Sequence, residues 1–130
     1  MKAPSIDIRD MLIADTSLGL VYEQNLWIGK EPPKPNDTVV IFDTTSFAPW
    51  LGLTDKGYEY PSVQIRVRNL DYETGWDLIH AIMNSLHGRA QETWNGSLYT
   101  VIYCSSGPAM LDWDDSQRVR FIVNFNLQRR

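Results

Sequence analysis

The sequence predicts an α+β domain in which a mixed or antiparallel sheet of about four to five strands carries two helices on one face. In the middle of the chain, Val63, Ile65 and Val67 alternate with polar residues, which is the period-two pattern of a strand with one buried face. The apolar residues that follow recur at spacings of three and four, which predicts an amphipathic helix. Its apolar stripe consists of Tyr72, Trp76, Ile79, Met83 and Leu86. A strand that leads directly into a helix favours two packed layers.

The N-terminal part predicts a first helix and a short apolar segment. Ser5 is a suitable N-cap, Asp7 suits the first turn, and Gly19 is a suitable stop signal. The apolar triplet at 26–28 ends at Gly29. We therefore expect one helix before residue 19 and an extended apolar link after it.

A proline-rich loop precedes the next predicted strand. Residues 30–37 contain three prolines, which fix φ and remove backbone donors, so they suit neither a helix nor a central strand. Residues 38–43 are a nearly continuous apolar run, typical of a strand covered on both sides. Residues 44–59 have no clear period and are too aromatic for disorder. This loop either folds onto its own core or packs on a neighbouring subunit.

The C-terminal half predicts one helix end and three further strands. Asp71 or Asn69 can cap the second helix, and Gly88 can supply a left-handed residue at its end. Residues 89–95 are expected to form an irregular link, with Asn95 and Gly96 favouring positive φ. Strands are predicted at 98–104 and 109–113, separated by a break at 105–108. The closing strand is the clearest of the three. Its expected buried residues are Val119, Phe121, Val123, Phe125 and Leu127.

Composition indicates one domain, which we expect to span residues 1–130. A net charge of −4 disfavours a general nucleic-acid binder, which is normally basic. The single cysteine excludes an intrachain disulfide and suits a reducing cytoplasm. The first ten residues lack the apolar segment of a signal peptide, and no apolar run approaches the roughly 20 residues of a membrane span. We therefore expect no membrane partner.

No residue pattern indicates catalysis. Cys104 would need a histidine beside it to act as a nucleophile, and His80 and His87 are seven residues apart on one predicted helix. Zinc needs three or four ligands, and the two histidines have no companions. The aspartates at 112–115 do not fit a calcium loop. We therefore expect no enzyme activity, no metal and no cofactor.

Arginines recur at alternate positions of two predicted strands. They are Arg66 and Arg68 in the central strand and Arg118 and Arg120 in the closing strand. Such a stripe is a weak signal for nucleic acid in an acidic chain. It more often forms salt bridges between subunits or a solvated face.

Four segments, in this order, resemble the tail terminator family of long-tailed bacteriophages, also described as minor capsid or tail-completion proteins. They are LWIGK (26–30) with the proline loop after it, VVIFDT (39–44), YEYPSVQIRVR (58–68) and FIVNFNLQR (121–129). The third segment is the most specific. The resemblance implies a small α+β subunit that forms a hexameric ring on the end of the tail tube. Such a ring stops tube polymerisation and offers the surface that joins the head.

The resemblance implies partners rather than reactive residues: other copies of the chain, a tail tube protein and a head-completion or connector protein. The expected location is the virion, after assembly in the host cytoplasm. A ring of identical subunits needs heterologous contacts. We expect the interface with a neighbouring subunit or with the tube to use Phe47, Trp50, Leu51, Leu53, Tyr58, Arg66 and Arg68, with Trp50 as the anchor of a subunit contact.

DNA has to pass through such a ring without binding, so acidic residues are expected to face its lumen. The candidates are Asp43, Asp55, Asp112, Asp114 and Asp115. Two alternatives remain open. One is another neck or head-completion role in a phage. The other is a small non-catalytic domain that binds a ligand or peptide under the aromatic loop.

Overall fold

A six-stranded mixed sheet forms the centre of the structure. The computed structural model describes residues 1–48 and 57–130, and the side chains of residues 46 and 47 are outside this description. The strands are β1 (Leu26–Ile28), β2 (Thr38–Phe47), β3 (Tyr60–Asn69), β4 (Glu92–Trp94), β5 (Ser97–Trp113) and β6 (Val119–Arg129), and the helices are α1 (Pro4–Ala14) and α2 (Tyr72–Leu86). The strand order is β1-β2-β3-β6-β5-β4, with β1 parallel to β2 and the other neighbours antiparallel.

The hydrophobic core lies between one face of the sheet and the two helices. The predicted inward residues of β3, Val63, Ile65 and Val67, are fully buried, and they pair with the inward residues of β6. All five predicted core positions of β6 are buried. In β2, Val39, Val40 and Ile41 are all buried although Val40 points to the opposite face, which confirms a strand covered on both sides at this point. The alternation in the sequence therefore located the core strands correctly.

Helix α2 is capped as predicted, but its buried stripe is different. The Asp71 side chain accepts the Thr74 N–H, and Gly88 has φ of 89° just after the helix. The fully covered positions are Gly75, Ile79, Ile82 and Leu86, whereas Tyr72 is 44% exposed and Trp76 is 36% exposed. Gly75 faces the sheet and packs tightly against it, since a Cβ at this position would lie 2.7 Å from Cε2 of Phe121. The two aromatic residues are thereby displaced to the side of the helix.

Helix α1 takes its N-terminal cap from a distant strand. The N-cap position is Ala3, which provides no side-chain hydrogen bond, so the prediction of Ser5 as the cap is wrong. Asp43 of β2 instead accepts the Ser5 N–H at 3.0 Å and the Ser5 hydroxyl at 2.6 Å. Asp7 does lie in the first turn. The helix ends at Ala14, and Gly19 ends a short 3-10 turn (Thr16–Leu18) with φ of 66°.

The sheet has six strands where four to five were predicted. Residues 26–28 form the short parallel strand β1, and β4 occupies part of the predicted link at 89–95. Asn95 and Gly96 have positive φ values of 51° and 82° and join β4 to β5, as their residue types predicted. The break expected at 105–108 does not end the strand. β5 continues through residues 105–108 with shifts in its pairing register to β6, so the two predicted strands are one strand of 17 residues.

No helix among the described residues is long and apolar enough to cross a membrane.

Candidate assembly surfaces

Three of the four alternating arginines bind the proline loop of the same chain. Arg68 is 2% exposed and donates through Nη2 to the carbonyls of Pro32 at 2.7 Å and Pro35 at 2.8 Å. Arg118 donates to the Pro33 carbonyl at 2.6 Å. Arg120 binds Glu31, as described below. We call Arg68, Arg118 and Arg120 the arginine clamp. The predicted stripe is therefore largely an internal brace, which corrects the expectation of intersubunit salt bridges or a solvated face for these three residues.

Glu31 and Asp114 are two of the carboxylates that bind the arginine clamp. Oε1 of Glu31 lies 3.2 Å from Nη1 of Arg68 and 2.8 Å from Nη2 of Arg120. Burial raises the pKa of Glu31, but the hydrogen bonds and charges of Arg120 and Arg68 outweigh burial and hold the pKa below its ordinary value. Asp114 lies 2.7 Å from Nε of Arg118. Burial likewise raises the pKa of Asp114, and the Arg118 hydrogen bonds outweigh it, so the pKa is lowered. Both carboxylates therefore favour the ionised form.

The expected interface residues are distributed unevenly in the structure. Arg66 is half-buried on the sheet face opposite the helices, with its guanidinium 4.9 Å from the centre of the Phe42 ring. Its Nε donates to the Gln64 side chain at 2.8 Å. The Tyr58 ring lies under the Arg130 guanidinium at 5.3 Å. Arg68 belongs to the arginine clamp and has no exposed surface to offer. Trp50, Leu51, Leu53 and the side chain of Phe47 lie outside the described residues.

Most of the described acidic candidates have partners within the chain. Asp43 binds the start of α1, and Asp114 binds Arg118. Asp112 is exposed and lies 3.1 Å from Nη1 of Arg120. Asp115 is also exposed, and it makes no ion pair with any other described residue. Asp55 lies outside the described part of the chain. Within that part, Asp115 is the candidate whose charge is fully available to a lumen.

An exposed aromatic patch lies where the N-terminal half of α2 meets the far end of β5. We define the aromatic patch as Tyr72, Trp76, Met110 and Trp113, which are 36–48% exposed. The Tyr72 ring stacks on Trp113 with centroids 6.4 Å apart and packs edge-on against Phe121 at 4.9 Å. Met110 is the register partner of Phe121, so it projects from the same sheet face. The sequence reading missed this patch because it assigned Tyr72 and Trp76 to the buried stripe.

On the sheet face opposite the helices, the part away from the arginine clamp carries mainly uncharged polar side chains. Gln64 donates to Asn124 at 3.1 Å, and Asn124 in turn donates to Ser106 at 2.8 Å. Two residues before Gln64 in β3, on the same face, Ser62 donates to Asn126 at 2.8 Å. These bonds run across β3, β6 and β5 and satisfy the polar groups without involving charge. This face is therefore a preorganised neutral surface, with Arg66 at one side of it.

A buried polar network ties both chain ends to the hairpin of β4 and β5. Asp7 is fully buried and accepts hydrogen bonds from the Tyr99 hydroxyl and from Asn95 Nδ2, the latter at 2.6 Å. Arg129 Nη1 lies 3.3 Å from the Asp7 carboxylate and donates to the Lys2 carbonyl at 2.9 Å. Burial and the bond to Asp7 raise the pKa of Tyr99 well above its ordinary value. The tyrosine therefore stays a neutral donor, and the network has a structural role.

The thiol and the two histidines make their described hydrogen bonds with backbone groups. Burial raises the pKa of Cys104, which disfavours the thiolate that a nucleophile needs. His87 Nδ1 accepts the backbone N–H of Cys104 at 2.9 Å, and His80 Nδ1 lies 3.1 Å from the Trp76 carbonyl. Within residues 1–48 and 57–130, no three His, Cys, Asp or Glu side chains are grouped to hold a metal. The surfaces above, rather than reactive groups, are the functional candidates.

The architecture is that of a small α+β protein whose exposed features include an aromatic patch and a network of uncharged polar side chains. A profile of the family described as "Bacteriophage tail terminator protein" matches residues 10–130. The chain therefore belongs to the bacteriophage tail terminator protein family, as the resemblance of the four segments implied.

One solved structure supports the same fold. It is a chain of "Virion of native gene transfer agent (GTA) particle", with a TM-score of 0.71 and 14% sequence identity. The match covers 98% of this chain and 94% of that one. No curated protein matches the sequence at a significant level. The family match defines a structural phage tail protein, and at this low identity the structural match defines the fold alone.

Proposed function

We propose that this protein forms a ring, hexameric by its resemblance to the family, on the end of a completed phage tail tube. In this role it stops further addition of tube subunits and offers the surface that joins the head connector. The proposal is carried by the family match, which extends over residues 10–130 and so includes every strand, all of α2 and the C-terminal end of α1. Its location is the virion, after assembly in the host cytoplasm.

The surfaces described above suit a protein that acts by docking. An aromatic patch is exposed on the helix side, and a hydrogen-bonded network of uncharged side chains lies on part of the opposite face. Aromatic residues and Met are enriched at protein interfaces, whereas Lys and Glu are depleted there. In this proposal the loop around Trp50 and the residues Phe47, Leu51, Leu53 and Tyr58 supply one contact. Arg66 supplies another, and Arg68 contributes indirectly by holding the proline loop in place.

Passage of DNA through the ring requires a lumen that does not retain phosphate. The net charge of −4 favours a lumen that repels phosphate, and we propose that Asp115, together with Asp55 and Asp112, contributes negative charge to the lumen. Asp43 and Asp114 act mainly within the subunit, because they bind α1 and Arg118. No specific contact to DNA is part of the proposal, and neither is a catalytic step.

Tube assembly in vitro tests the proposed function. Tail tube protein from the same genome is polymerised with and without this chain, and tube length and tube ends are measured by electron microscopy. We expect short tubes of arrested growth with an added disc at one end. Trp50→Ala should reduce the fraction of capped tubes while leaving the circular dichroism of the free chain unchanged.

The same experiment separates the alternatives. Tubes that grow equally long in the presence of the chain would contradict a terminator role. If the chain instead bound purified connector and ignored tubes, it would be a head-completion protein.

A further inference from the structure

We propose that the aromatic patch of one subunit docks against a second copy of the chain, on a surface built around Arg66 at the β1–β2 side of the sheet. This inference rests on the proposed ring and assigns the two faces of its subunit contact. The second surface, which we call the arginine edge, consists of Trp27, Lys30, Phe42 and Arg66. The two surfaces differ, as a heterologous contact requires.

The aromatic patch carries a negative border. Glu73 and Asp77 each follow one of its aromatic residues in α2, and they are four residues apart on the outer side of the helix. Both are exposed, and neither makes an ion pair with another described residue. The patch therefore combines an apolar centre with uncompensated negative charge. A partner should offer aromatic or apolar side chains with positive charge next to them.

The arginine edge has the complementary character. Trp27 is the register partner of Val40, and Val40 is the partner of Arg66, so the three side chains share the sheet face opposite the helices. The Arg66 guanidinium covers the Phe42 ring, and among the described residues it has no carboxylate partner. Lys30 is separated from the end of β1 by Gly29 and is exposed, also without a described ion pair. This edge thus presents aromatic rings and two available cations.

The two surfaces cannot meet within one chain. The aromatic patch projects from the helix side at β5, whereas Arg66 projects from the opposite side at β3. The strand order places β6 between β3 and β5, which separates these two strands by about 10 Å at the usual spacing of roughly 4.8 Å. Their complementarity cannot be satisfied within one subunit, but it can be satisfied between two copies of the chain. Repeating the contact leads from subunit to subunit in one direction, as a ring requires.

Self-association of the purified full chain tests this assignment by sedimentation equilibrium and light scattering. We expect Trp113→Ala to weaken association roughly tenfold or more, since buried Trp residues dominate interface energies. Tyr103→Ala is the matched control, because Tyr103 is 42% exposed on the same strand and points to the opposite face. This control should associate like the wild type.

A charge exchange makes the test independent of packing defects. Asp77→Arg and Arg66→Glu should each weaken association, and the double variant should recover most of it. Glu23→Arg, an exposed acid outside both surfaces, serves as the control for charge alone. Recovery of association in the double variant would support a direct contact between Asp77 and Arg66, because the losses of two unrelated defects would add instead of cancelling.

Two results would overturn the inference. One is a wild-type chain that stays monomeric up to about 1 mM, a concentration at which even contacts of about 4 kcal/mol are visible. The other is association that is insensitive to Trp113→Ala and to both charge reversals. If association is insensitive to these changes but the chain still caps tubes in the assembly assay, the proposed function stands and the subunit contact lies on other surfaces. If the chain neither associates nor caps tubes, the proposed ring is contradicted as well.

Discussion

Removal of the Arg68 guanidinium should destabilise the fold, because this head group attaches the proline loop to β3. Arg68→Met keeps an unbranched apolar stem in a side chain that is 2% exposed, but it removes every contact of the head group. Those contacts are the bonds to the carbonyls of Pro32, Pro35 and Asn36 at 2.7, 2.8 and 3.4 Å and the ion pair with Glu31 at 3.2 Å. The proline loop then loses its central attachment to β3.

The size of the effect follows from these contacts. Removing one partner of a buried ion pair typically costs about 3–5 kcal/mol. The lower end applies, because Glu31 keeps Arg120 at 2.8 Å and the carbonyls of the exposed Pro35 and of Pro32 can bind water. We therefore expect a loss of about 3 kcal/mol in the free energy of unfolding, which for a chain of this size lowers Tm by about 10 °C.

Urea unfolding followed by circular dichroism measures this loss, with Arg66→Met as the matched control. Arg66 lies two residues away in the same strand, and its described contacts are with the Gln64 side chain and the Phe42 ring. We expect the control to lose less than about 1 kcal/mol. Arg68→Lys should recover only part of the loss, because an ammonium cannot reproduce the planar fork. Equal stabilities for Arg68→Met and Arg66→Met would refute the bracing role of the clamp.

Three further changes test other parts of the fold. Gly75→Ala places a methyl 2.7 Å from Cε2 of Phe121, so we expect a loss of about 1–3 kcal/mol in urea unfolding, and wild-type stability would mean that α2 does not pack this tightly. Asp43→Ala removes the acceptor of both Ser5 bonds and should cost about 1 kcal/mol, whereas Thr45→Ala, an exposed change in the same strand, should be neutral. The pKa of Glu31 lies below its ordinary 4.5, despite the opposing effect of burial, because of Arg120 and Arg68. Ionised Glu31 therefore stabilises the fold at neutral pH, and this contribution should fade as the pH falls below about 4.5. Glu31→Gln should flatten the acid side of a stability–pH profile, and an unchanged slope would contradict the assignment.

The local patterns of the sequence were enough to place the core elements and to identify the family. Strands β3 and β6 followed from strict alternation, and the ends of α2 followed from Asp71 and Gly88. The family resemblance rested on short segments in a particular order, and the family match over residues 10–130 confirms it. These patterns can be recognised in the sequence because buried side chains recur with the period of the helix or strand that carries them.

The surfaces depended on contacts between residues far apart in the chain. Alternation showed that the four arginines share a face, but it could not show that a loop more than 30 residues from Arg68 and 85 residues from Arg118 would cover three of them. The cap of α1 comes from Asp43, 38 residues beyond Ser5, while Ser5 itself satisfied the local cap pattern. Tyr72 and Trp76 fit a helical stripe, yet Gly75 lets the sheet approach on another side and leaves both rings at the surface.

The sequence by itself thus determined which residues alternate into the core, where α2 begins and ends, and which family the chain resembles. Only the tertiary structure decided which charges are neutralised within the subunit and which aromatic rings remain exposed. The physical reason is that hydrophobic periodicity is a property of neighbouring residues. The partner of a guanidinium or of an aromatic ring is instead set by how distant segments pack, and in this protein those segments are the proline loop, β2 and the far end of β5.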